Sequence, residues 1–177
     1  MSGRFLVLLV TVAVCFGALY FFLDSAHSTY RESKEVMVFQ RQDYWSDMSY
    51  QQKVFIKSDR PTEWTLSMGK VKSRTYEETE KNREFLQDFE KGLDKAISEE
   101  TEVFTWATVV VLTFFYVVLY RNEWIAPDKK FPKQGLFIGF FLAAYFCMHI
   151  FQHVQPALYA KEDAEDAYYD LRVGFRQ

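Results

Sequence analysis

The sequence predicts a mainly α-helical integral membrane protein, with three transmembrane helices and a small mixed α/β extramembrane domain inserted between the first and the second. Three observations carry that expectation. Val103 to Tyr120 runs eighteen residues without a charge, amide, glycine or proline, which as a helix reaches about 27 Å, close to the hydrocarbon thickness of a bilayer. Two further uncharged apolar runs flank it, at 5–23 and 135–154. Charge is concentrated in the long segment between the first two runs and in the tail.

The first run, Phe5 to Leu23, is apolar apart from Thr11. It exceeds the ~7 to 15 residues of a usual signal core, and no A-x-A-like cleavage site follows it. Residues 1–23 therefore read as an uncleaved signal anchor and first membrane helix. Ala13 and Gly17, four apart, offer a smooth face to another helix.

The polar segment 24–102 is far too long for a structureless connection inside a compact protein. It is expected to be an extracytoplasmic domain, a β-hairpin followed by an amphipathic helix. The hairpin is read from Lys53–Lys57 and Thr65–Met68, which flank the turn-forming run Ser58-Asp59-Arg60-Pro61. The helix is read from a capping-box spacing, Thr75 and Glu78, followed by Phe85, Leu86, Phe89, Leu93, Ala96 and Ile97 at helical intervals. Ser98, Glu99 and Glu100 resemble a fresh helix start, so a bend before the second span stands against the alternative of one continuous rod, and the sequence does not decide between them.

Residues 103–120 form the second span, with Trp106 and Tyr120 near its ends and Trp124 just beyond, as interface anchors. Residues 121–134 are a short basic connection containing Pro127 and Pro132. The third span, 135–154, carries Gly135, Gly139, Ala143 and Cys147 four apart, a small-residue stripe suited to helix packing. Pro156 is expected to end or restart the helix, and 155–177 to be an acidic tail able to form a short surface helix. Basic residues near the short connections place the amino terminus in the cytoplasm and the carboxyl terminus outside. A bacterial-type cytoplasmic membrane, or its organelle equivalent, is the expected location.

Composition narrows the function. The net charge of −3 argues against a nucleic-acid partner. No expected span contains Asp, Glu, Lys or Arg, so the buried charge that pumps and transporters use is missing from them. No phosphate-binding glycine loop, paired-cysteine zinc spacing or glycine-flanked nucleophilic serine occurs. One constellation stands out. His149 and His153 share a helix face, and His27 with Asp24 follows the first span on the same expected side. Imidazoles there suit copper, another transition metal or haem iron. The competing account has them bonded to carbonyls, water or Tyr159.

The leading expectation is a non-catalytic accessory, scaffolding or assembly subunit of a larger membrane complex, of an energy-transducing or oxidoreductase kind. Its partners would be other integral membrane subunits and the lipid bilayer. The alternatives are a metal- or haem-binding membrane subunit using the histidines, and an extracytoplasmic sensor or adaptor.

Overall fold

The computed structural model describes residues 3–25, 27–69, 71–121 and 133–174. The chain runs α1 (Gly3–Ser25), β1 (His27–Ser33), β2 (Val36–Gln42), β3 (Ser49–Phe55), β4 (Glu63–Met68), β5 (Val71–Glu77), α2 (Arg83–Arg121) and α3 (Lys133–Gly174). The five strands form one antiparallel sheet in sequence order.

This corrects the expected fold class. Among the described residues the architecture is three helices with a five-stranded antiparallel sheet, not three membrane spans around a hairpin domain. Among the described residues one helix, over Arg83–Leu119, is long and apolar enough to cross a membrane, and Val10–Phe21 within α1 is a shorter apolar stretch. The hairpin is the β3–β4 pair inside a larger meander. Strands β1 (HSTYRES) and β5 (VKSRTYE) escape a hydrophobic reading because they are polar edge strands. All seven residues of β1 are exposed, so no apolar alternation marks it.

The helix boundaries also differ from expectation. Thr75 lies in β5, and the turn before α2 is instead knitted by Asn82, whose Oδ1 accepts from Thr79 N at 2.7 Å while its Nδ2 donates to Glu77 O at 2.8 Å. α2 passes through Ser98–Glu100 unbroken for 39 residues, and α3 passes through Pro156 for 42. A proline inside a helix forfeits one backbone hydrogen bond, a loss that packing of the surrounding turns can offset.

The chain divides into two compact units. The second comprises Leu23–Glu100 and Gln155–Gln177, so the tail belongs with the sheet. Its core packs Tyr50, Trp64 and Leu66 of the sheet against Leu86, Phe89, Leu93 and Ile97 of α2, with Ala164, Ala167, Tyr168 and Leu171 of α3. Both helical sets recur every three or four residues, the interval that keeps side chains on one face. The two helices approach closely at Gly92. A Cβ there would meet Ala160 O, Ala164 N and Ala164 Cβ, each at 3.0 Å.

The other face of the sheet is not wholly polar. Val38 is fully buried, yet it pairs with Tyr30 and Lys53, out of phase with the row that carries Tyr50 and Leu66. Lys53 and Glu32, 3.2 Å apart, lie nearby, and Arg60 stands 4.4 Å from the centre of the Phe55 ring.

The first unit comprises Met1–Phe22 and Thr101–Val154. Within it α2 and α3 run antiparallel. Trp106 stacks on Phe146 and His149, while Gly139 reaches Val117.

Candidate functional site

The most unusual polar arrangement lies in the second unit, where Asp43, Glu100 and Lys161 meet. The loop Asp43–Met48 between β2 and β3 is closed by its own first residue. Asp43 N donates to Met48 O (2.9 Å), and Met48 N donates back to Asp43 Oδ1 (2.8 Å). Asp43 Oδ2 accepts from Ser46 N at 3.0 Å and from the Ser46 hydroxyl. Asp47 takes a left-handed φ of 56°, which an aspartate tolerates better than most residues.

Into this loop α3 sends Lys161, whose Nζ stands 2.7 Å from Asp43 Oδ2 and 2.5 Å from Glu100 Oε1. The other Glu100 oxygen accepts from Tyr44 N at 2.9 Å. Both carboxylates are wholly withdrawn from solvent, and the lysine side chain is 11% exposed. Trp45 covers it, its ring centre 5.1 Å from Nζ, and the Tyr44 hydroxyl donates to Leu23 O at 2.8 Å.

Two carboxylates against one ammonium leave a net buried charge of −1. Burial accordingly pushes the Glu100 carboxyl above its usual range. The bonds from Lys161 and Tyr44 N oppose that shift, and nearby Asp43 adds to it.

A second polar cluster lies where Tyr50 meets α2. Its hydroxyl is 3.1 Å from Asp94 Oδ1 and 3.5 Å from Glu90 Oε1, with Arg41 3.8 Å from Asp94. Burial foremost, then Asp94, raises both the Tyr50 hydroxyl and the Glu90 carboxyl.

The residues singled out from the sequence are placed as follows. His149 and His153 lie in α3 within the first unit, whereas Asp24 and His27 belong to the second, at the end of α1 and the start of β1. His149 is held between rings, 4.9 Å from Trp106 and 4.5 Å from Tyr145. Among the described residues no group of three or more His, Cys, Asp or Glu side chains gathers as a metal site would require.

Of the packing stripe, Gly139 and Ala143 border an apolar groove of about 550 Å³ with Val110, Phe114 and Val117. Cys147 is exposed, and Gly135 lies in the first turn of α3. Ala13 and Gly17 face outward from α1, and a Cβ on Gly17 would meet nothing within 4 Å. Tyr120 is in the last turn of α2, and Trp124 lies outside the described residues.

Asp43, Glu100 and Lys161 escaped the sequence reading. A partial signal existed. Glu100 continues the spacing of Leu93 and Ile97, and Lys161 stands between Ala157 and Ala164, so both occupy the buried stripe of their helices. Nothing in the local sequence points to Asp43. No protein-family model, curated protein or solved structure matches the chain.

Proposed function

We propose that this chain is a non-catalytic accessory or assembly subunit of a larger membrane complex, attached through the apolar part of α2, residues 103–119, and presenting its sheet unit as a docking body. One observation carries the reading. The apolar window of α2 is only 6% buried, whereas the core helix of a water-soluble fold would be largely covered. Val111, Phe114 and Tyr116 are 64%, 70% and 47% exposed. Such a surface needs lipid or a partner's apolar face against it.

The polar groups of this segment suit that environment. Thr105 and Thr108 donate their hydroxyls to Thr101 O (2.8 Å) and Phe104 O (2.9 Å), so each is satisfied within its own helix, as hydrocarbon surroundings require. The ring cluster of Trp106, Tyr145 and His149 fits an interfacial aromatic layer, where amphipathic rings settle.

Membranes from cells making the full chain, washed with alkaline carbonate and then extracted with mild detergent, test attachment. Retention through the wash and release by detergent is expected. Recovery in the wash or in the aqueous fraction overturns the membrane reading.

A further inference from the structure

We infer that Asp43, Glu100 and Lys161 form a self-modifying site, in which the Lys161 amine and the Asp43 carboxyl condense to an isopeptide bond with Glu100 as the proton carrier. The inference is independent of membrane attachment, since all three residues belong to the sheet unit.

The chemistry needs a nucleophilic amine beside an activated carboxyl, a group that moves protons, and exclusion of water. Each is present. Lys161 Nζ touches Asp43 Oδ2 at 2.7 Å, one bond from the carboxyl carbon, so the reactants are already held as neighbours. The Met48 amide is aimed at Asp43 Oδ1 at 2.8 Å, where negative charge develops on attack. Glu100 Oε1 is 2.5 Å from the same nitrogen, and its burial favours the protonated form that a proton donor needs. Water is kept from the group by burial, both carboxylates being 0% exposed and the lysine side chain 11%, with the Trp45 ring 5.1 Å from Nζ.

The atoms balance without any co-reactant. Glu100 takes one proton from the ammonium and passes it to Asp43 Oδ2, leaving a neutral amine beside a neutral carboxyl. Nζ attacks Asp43 Cγ, the Nζ–Cγ bond forms, and Oδ1 carries the charge against Met48 N–H. Glu100 takes a second proton from the attacking nitrogen and delivers it to the Oδ2 hydroxyl. The Cγ–Oδ2 bond breaks and Oδ2 leaves as water. Glu100 ends as it began, and nothing is oxidised or reduced.

Intact mass spectrometry of the full folded chain, denatured before injection, reads the reaction. The expected mass is one water below that calculated from the sequence. A digest should contain a branched peptide joining the segments that carry Asp43 and Lys161. Lys161→Arg, which keeps the cation, and Asp43→Ala should each show their full calculated mass. Glu100→Gln, which preserves the acceptor for Tyr44 N, should leave most chains unjoined. Full calculated mass in the unmutated chain after prolonged incubation overturns the proposal. So does a water loss that persists in Lys161→Arg, which would mark a succinimide at an aspartate. Joining in Glu100→Gln at the unmutated extent overturns the role given to Glu100.

Discussion

Gly92 of α2 and Ala164 of α3 approach so closely that a Cβ on the glycine would stand 3.0 Å from the alanine Cβ and 3.0 Å from its backbone nitrogen. Glycine costs an isolated helix roughly 1 kcal/mol relative to alanine. Here that cost is offset by the close approach it permits, which lets the buried alanines of α3 lie against α2. The same residue weakens a helix read from sequence alone and tightens the helix pair in the fold.

Gly92→Ala is therefore expected to destabilise the sheet unit despite the better helix propensity, by about 1 to 3 kcal/mol, the usual cost of overpacking. Gly92→Leu should be more damaging still. Chemical denaturation monitored by tryptophan fluorescence would show it, since Trp64 is in the same core. An unchanged or raised midpoint for the alanine variant would mean that the helices separate freely.

Relative to Lys161→Arg, which keeps the cation and does not join to Asp43, Lys161→Met leaves the Asp43 and Glu100 carboxylates buried together without their cation. Breaking a buried pair in this way costs about 3 to 5 kcal/mol, and both side chains are 0% exposed. The loss should appear in the same denaturation experiment, whereas substitution of the exposed pair Lys91 and Asp88 should move the midpoint little.

Glu90 governs an expected pH dependence. Its carboxyl is raised by burial and by Asp94, so the folded chain binds a proton at a higher pH than the unfolded chain does. The penalty for holding it ionised is present above the raised folded value. It fades as pH falls and is gone below the unfolded value of about 4.3. Glu100, raised by burial, acts in the same sense. Mild acidification from neutrality should thus raise the denaturation midpoint, and Glu90→Gln should flatten the rise. A midpoint that falls steadily from pH ~7 to ~5 would show that other groups dominate.

The sheet and site were unevenly legible from sequence. Leu86, Phe89, Leu93 and Ile97 announced a buried helix face because helical periodicity is a local signal, and the β3–β4 hairpin showed through its turn. The edge strands β1 and β5 carry polar residues that only backbone pairing makes into strands. The apolar runs at 103–120 and 135–154 do not stand as separate helices, because each continues with a polar segment into the long helices α2 and α3. Asp43, Glu100 and Lys161 are separated by 57 and 61 positions, and no short-range pattern could bring them together. The histidine reading relied on a shared helix face, which His149 and His153 do possess. It had no way to register the rings of Trp106 and Tyr145 against His149.

Trp106→Ala should loosen the pairing of α2 with α3 in the first unit, by about 0.5 to 1.5 kcal/mol for a lost ring contact beyond the area exposed. A cysteine pair at positions facing across these helices, read by cross-linking efficiency with and without Trp106, would measure it. Unchanged efficiency would leave the stack with His149 incidental to packing.

Native mass spectrometry of the chain extracted gently from its own membrane tests the central claim most directly, since a single spectrum reports partners and bound groups together. An accessory subunit should appear in a stoichiometric assembly with other membrane proteins while carrying no metal or haem mass itself. A chain found alone or only with copies of itself, bearing metal or haem, would contradict the account and return attention to His149 and His153.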